Sequence, residues 1–203
     1  TLAKKSIYLR REFYVAKKVK DATAYVCGLG FYEFSLNGEK VGDSEFAPLW
    51  SDYDKSVYYN TYDVTSQVKK GGNAIGVLLG NGFYNVQGGR YRKLQISFGA
   101  PTLRFRMVVN YEDGTSETIV SGKDWKYDFS PVLFNCIYGG EDYDARREQK
   151  GWNMFGFKEQ DWRPVVIQEA PKGVLRPQIA QPVKIMERYD IRKVTKLTAE
   201  QIT

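Results

Sequence analysis

The stretch IYGGEDYDARRE, Ile137 to Glu148, sets four carboxylates, two arginines and two tyrosines around a Gly-Gly pair. Carboxylates so concentrated could act as the acid and base of glycoside hydrolysis, with Glu141 and Asp144 as the pair. The two stand three positions apart on one local segment. A hydrolytic pair must flank the scissile bond from opposite sides, so it normally comes from separate elements. No catalytic residue is therefore assigned. Two other uses of the stretch stay open. Tyr138, Glu141, Asp144 and their neighbours could hold sugar hydroxyls. The carboxylates could instead cap a turn and a helix start and pair with Arg146 and Arg147.

A second stretch, LGNGFYNVQGGRYRK from Leu79 to Lys93, combines four glycines and two asparagines with Phe83, Tyr84 and Tyr91. It lacks the Lys-Ser/Thr ending of a phosphate-binding P-loop. An Asn amide offers a donor and an acceptor to neighbouring hydroxyls, and a Tyr ring offers a face to C–H groups. Asn81 and Tyr84 are thus candidates for sugar contact, beside the alternative of a long loop whose rings pack down on the fold. A third stretch, FAPLWSDYDKSVYYNTY, offers Trp50 and Tyr53 as stacking platforms, although packing into a core is the commoner fate of such residues.

The chain has no histidine and only two cysteines, Cys27 and Cys136, each inside an apolar run. Histidine-based triads and zinc sites are excluded, and buried small hydrophobes are the simplest reading of both thiols. No cofactor is expected. Glu141, Asp142 and Asp144 could meet a calcium ion together with backbone carbonyls, but no stretch has an EF-hand pattern.

The elements that must position these loops are strands. AYVCGLGFYEFSL runs into Asn37-Gly38, the strongest short hairpin signal. PTLRFRMVVNYEDGTSETIVSG predicts a second hairpin turning at EDG, and SVYYNTYDV, NAIGVLLG and VLFNCIYGG predict further strands. DVTSQVKKGGN predicts one helical turn capped by Asp63 or Thr65 and ended by Gly71-Gly72. DYDARREQKGW is the one segment that reads as a helix, with Asp144 near its start. The expected fold is all-β: an antiparallel β-sandwich, jelly-roll or galactose-binding-like, with one short helix. Residues 1–177 form the module, and 178–203 are a linker or the start of the next domain.

A chain of 203 residues with 42% hydrophobic residues supports one core. The net charge of +6 is spread over scattered basic pairs rather than gathered in a stripe, so no nucleic-acid partner is expected. No apolar run is long enough to span a membrane, so no membrane partner is expected either.

Taken in order, YVCGLGFYEFSLNGEKVGD, FAPLWSDYDKSVYYNTYDVTSQVKKGGNAIGVLLGNGFYN and IYGGEDYDARRE…GW resemble the N-terminal β-sandwich module of bacterial α-L-rhamnosidases, over roughly Ala22 to Pro164. LGNGFY followed by IYGGEDYDAR is the most specific part. The resemblance implies an accessory module for substrate recognition. Its partners would be a rhamnose-containing glycan and a separate catalytic α/α-barrel for which this chain has no room. It also implies an exported protein, periplasmic or extracellular. The alternative is a purely structural module that packs on the barrel and binds no sugar.

Overall fold

The computed structural model describes residues 5–195 apart from Gly89 and Tyr91. Tyr91 of the second loop and the tail from residue 196 lie outside the described residues. In chain order the strands are β1 (Ile7–Val15), β2 (Val19–Leu29), β3 (Tyr32–Leu36), β4 (Glu39–Lys40), β5 (Ser44–Glu45), β6 (Ser56–Asp63), β7 (Gly71–Leu79), β8 (Asn85–Val86) and β9 (Ile96–Ser97). They continue as β10 (Thr102–Tyr111), β11 (Ser116–Val120), β12 (Lys126–Phe129), β13 (Val132–Cys136), β14 (Gly140–Tyr143), β15 (Arg163–Pro164), β16 (Val174–Pro177) and β17 (Val183–Lys184).

Two sheets carry the fold. The first has the order β15-β12-β1-β7-β3-β4 and the second β11-β10-β2-β6-β16. Period-2 alternation turns one face of each toward a shared core. Val26, Phe34, Leu36, Ile75, Val77, Phe105, Met107 and Trp125 fill it, all nearly solvent-free. The pairing is antiparallel throughout the two sheets except for β16, which lies parallel to β6. The expected all-β sandwich is therefore present, with one parallel edge strand.

The hairpin signals fold as their chemistry requires. Asn37 and Gly38 both take positive φ, 54° and 88°, and join β3 to β4. Asn37 also ties this turn to its surroundings. Its amide donates to Gln67 O and Asn73 Oδ1, and its Oδ1 accepts from the Ala74 N–H. Gly114, at φ 85°, turns β10 into β11. The single helical turn after β6 forms with Asp63 Oδ1 accepting from the Thr65 N–H and Val68 N–H donating to Val64 O. Both cysteines are buried and free, and burial pushes the Cys27 thiol up to about 12.

The helix expected over DYDARREQKGW is corrected to one 3-10 turn, Ala145–Arg147, capped by Asp144. Tertiary structure overrides local propensity on both sides of it. Glu141 and Asp142 are claimed by pairing with β13, and Gly151 at φ 78° breaks any continuation.

Residues 149–162 then form a cover on the outer face of the first sheet. Trp152 stacks on Tyr8 with centroids 4.0 Å apart, and Asn153 Nδ2 donates to Ser35 Oγ at 2.9 Å. Arg10, wholly buried, donates from Nε to Trp152 O at 2.8 Å and from Nη2 to Met154 O at 3.0 Å. Its charge is met by Glu12 and Glu159. Gly76 lies beneath. A Cβ there would come within 2.5 Å of Asn153 Cβ, so close approach requires glycine.

The segment expected to be a linker begins at residue 178. Its first part lies back on the module: Gln178 N–H donates to Tyr59 O, and β17 pairs with β5.

Candidate functional site

Three loops meet at one end of the sandwich: residues 46–54 after β5, residues 80–84 after β7, and the β13-β14 hairpin. The polar joint between the last two is Asn81. Its backbone N–H donates to Asn135 Oδ1 at 2.7 Å, its Nδ2 to Asn135 O at 3.2 Å, and its Oδ1 accepts from Asn85 Nδ2 at 2.8 Å. Asn135 Nδ2 in turn donates to Ser6 Oγ. Arg90 closes the joint farther out with a two-pronged contact to Asp142, both distances 2.7 Å. The two loops singled out in the sequence therefore do lie together.

The side chains they present differ from expectation. Asn81 is 2% exposed and Tyr84 6%. Asn81 is spent on the joint. Tyr84 packs edge-on to Tyr53 at 4.9 Å and donates its hydroxyl to Phe98 O, and burial raises its pKa. Neither offers a surface to a ligand, which corrects the expectation that they face one. Tyr53 is likewise core, as is usual for such residues. Tyr138 is about half exposed and Glu141 is exposed on β14. Asp144 caps the 3-10 turn and accepts from Arg146 Nε and Nη2 at 2.8 and 2.9 Å. Those contacts hold its pKa down to about 2. A carboxyl held ionised in this way is the opposite of the proton donor that glycoside hydrolysis needs.

Three of the rings at this end that reach solvent, Phe46, Trp50 and Tyr138, belong to one cluster. Trp50 stacks on Phe83 at 4.7 Å with planes 5° apart. Tyr138 meets Phe83 edge-on at 6.1 Å, Phe31 meets it edge-on at 5.9 Å, and Phe46 lies 5.5 Å from Phe31. Phe46, Trp50 and Tyr138 are each about half exposed. Phe46 holds φ 53°, an outlier for a bulky residue. Trp50, Ser51, Asp52 and Phe98 line a shallow depression beside the cluster, where Asp52 pairs with Lys55. Phe31, Phe46 and Phe83 were not singled out as site residues from sequence. A loop has no periodicity to say which of Phe83 and Tyr84 points out, and the density of rings in FAPLW was the available signal.

Two of the acids named for calcium have other partners. Asp142 is taken by Arg90, and Asp144 by Arg146 and Arg147. Among the described residues no group of three or more acids, cysteines or histidines converges. A cleft of about 590 Å³ lies elsewhere, under residues 165–173. It is lined by Leu9, Leu79, Trp125 and Tyr127, with no carboxylate on its walls, and suits a sugar's hydroxyls poorly.

Fold and site together define a class: a β-sandwich module whose loops, not its sheets, carry the displayed chemistry. The family emerges from comparison. The model of the alpha-L-rhamnosidase N-terminal domain matches residues 17–187, and the chain belongs to that family. An alpha-L-rhamnosidase of Formosa agariphila is 40% identical over 195 residues, which are 93% of this chain and 20% of that relative. The structure of alpha-L-rhamnosidase from Dictyoglumus thermophilum superposes with TM-score 0.82 at 40% identity, over 90% of this chain and 20% of that one. The Streptomyces avermitilis alpha-L-rhamnosidase, solved in complex with L-rhamnose, gives 0.85 at 38% identity, over 95% and 19%. The chain thus spans about a fifth of the length of these relatives.

Proposed function

We propose that the chain is the non-catalytic carbohydrate-recognition module of an exported α-L-rhamnosidase, and that it holds terminal L-rhamnose at the aromatic end. The reaction would belong to a separate catalytic domain of the same polypeptide. The observation that carries the reading is the solvent-facing group of Trp50, Phe83 and Tyr138, with Glu141 exposed on the same hairpin as Tyr138. Rhamnose is a 6-deoxy sugar. Its methyl and C–H face suit a ring, and its hydroxyls suit a carboxylate acceptor. Asn81, Tyr84 and Asp144 then hold the frame beneath.

A docking role without sugar is the second reading. It predicts an apolar patch on a sheet face, yet the outer face of the first sheet is covered by residues 149–162, and the exposed rings sit on loops beside a depression. That placement favours binding. Calorimetric titration with L-rhamnose, with and without calcium, tests the proposal. One monosaccharide in so shallow a site should bind at about millimolar strength, near 4 kcal/mol, and calcium should not change it. No heat at high sugar concentration would leave docking as the better account.

A further inference from the structure

The cleft under residues 165–173 takes wall residues from both sheets. Leu9, Leu79 and Tyr127 come from the first, and Leu29, Val57 and Leu103 from the second. Trp125, 1% exposed, lines it as well. The segment above is a strap. It leaves β15, the outer strand of the first sheet, and enters β16, the outer strand of the second. Its two ends are fixed: the Val165 N–H donates to Trp125 O at 3.3 Å, and the Gly173 N–H to Tyr53 O at 3.1 Å. Between them, among the described residues, no backbone group of 166–172 bonds to other backbone. A side-chain bond from Thr102 Oγ1 to Gln168 Oε1, at 3.2 Å, spans the gap. Val166 and Ile167 line the cleft, yet they stand 76% and 61% exposed. A strap that carries apolar side chains over apolar walls, and is held at its ends, can close on a guest with an apolar body.

The charges around the cleft select the kind of guest. Lys5 and Arg104 line it, and both are exposed. Lys5 lies over the ring of Phe129, another wall residue, at 5.1 Å, and Arg104 stands opposite Cys27 in the register of β2 and β10. Neither cation has a carboxylate within ion-pair distance among the described residues, whereas Arg11, Lys40 and Arg90 each have one. Glu169, the acid of the strap, is not on the wall. An apolar cleft with two unpaired cations and no acid attracts an anion and repels a cation.

We propose that this cleft binds an amphipathic anion, an alkyl carboxylate of the fatty-acid type. Its chain lies beneath the strap against Leu29, Leu103 and Trp125, and its carboxylate meets Lys5 and Arg104. Val166 and Ile167 close over the chain. This site is separate from the aromatic end and does not depend on sugar binding.

Calorimetric titration of the 203-residue chain with octanoate, decanoate and dodecanoate, each below its micelle concentration, tests the proposal. Saturable binding should tighten about fourfold with each added methylene. Decyltrimethylammonium, with the same chain and the opposite charge, should bind at least about tenfold more weakly than decanoate. Arg104→Glu should weaken decanoate binding at least about tenfold and leave the ligand-free melting temperature unchanged. Arg106→Glu changes the next arginine on the same face of β10, which does not line the cleft, and should bind decanoate like the wild type. Absence of saturable binding, or equal affinity for decanoate and decyltrimethylammonium, would overturn the proposal. So would undiminished binding by Arg104→Glu. Equal losses in the two arginine variants would overturn it in favour of loose adhesion of the anion to a basic sheet face.

Discussion

The cover over the first sheet and the aromatic end are made of similar residues and behave oppositely. Both are built from loop residues with glycine, tryptophan and phenylalanine. In the cover, Trp152 and Trp162 stack in series with Tyr8, and the carbonyls of Trp152 and Met154 are claimed by Arg10. In the aromatic end, Trp50, Phe83 and Tyr138 touch one another while half of Trp50 and Tyr138 remains in water. The difference lies in what the sheet offers beneath. The cover has a flat face with a buried cation and glycines at the contact points. The aromatic end has only strand ends, so its rings lean on each other. One region stores stability and the other displays surface.

The largest test of that contrast is Arg10→Ala. It removes a fully buried cation and leaves Glu12 and Glu159 facing each other across the gap. Breaking such a pair costs about 3–5 kcal/mol, to be read from chemical unfolding. Equal stability of the variant would show that the cover rests on packing alone. Next comes Gly76→Ala, whose Cβ must push Asn153 off the sheet. A loss of about 1–3 kcal/mol is expected from overpacking, and an unchanged denaturation midpoint would mean the cover moves at no cost. Gly38→Val, forcing a β-branched residue to φ 88°, should cost about 1 kcal/mol or more. An unchanged melting temperature would argue against strain at that turn. At the other end, Trp50→Ala should cost about 1 kcal/mol or less in stability. A larger loss would mean that Trp50 belongs to the core rather than to the displayed surface.

The smallest effect concerns pH. Asp144 has its pKa lowered to about 2 by the Arg146 side chain. Its contribution is present above the unfolded value of about 4 and is lost as pH falls through about 2. Asp144→Asn should therefore lower stability slightly at neutral pH, flatten the acid limb of the stability curve in that window, and leave stability below about pH 2 unchanged. The group lies at the surface and is partly covered, so a steep acid transition that vanished in the variant would contradict its modest role.

Legibility followed periodicity. β10 and both hairpins could be read because alternation and Asn-Gly or Asp-Gly turns are local signals. The helix over DYDARREQKGW could not be read correctly, since its first residues are taken by β13, far from any local preference. Arg10 gave no sign that it would be buried, because its partners stand more than a hundred positions away in Trp152, Met154 and Glu159. In LGNGFY the residue types were read as site chemistry, but the direction of each side chain was not legible. The amide that suits a sugar also suits the Asn135 backbone, and it went there. The 80–84 and 138–144 loops, each an abrupt change of composition after a buried strand, meet at one end of the fold.

The direct test of the central claim is calorimetric titration of L-rhamnose into the wild-type chain and into the Trp50→Ala and Tyr138→Ala variants, each first shown to be folded. The account predicts saturable binding near millimolar strength to the wild type and at least about a tenfold loss in each variant, equivalent to about 1.4 kcal/mol. Rhamnose binding that survives both substitutions undiminished would contradict it and move the site away from the aromatic end.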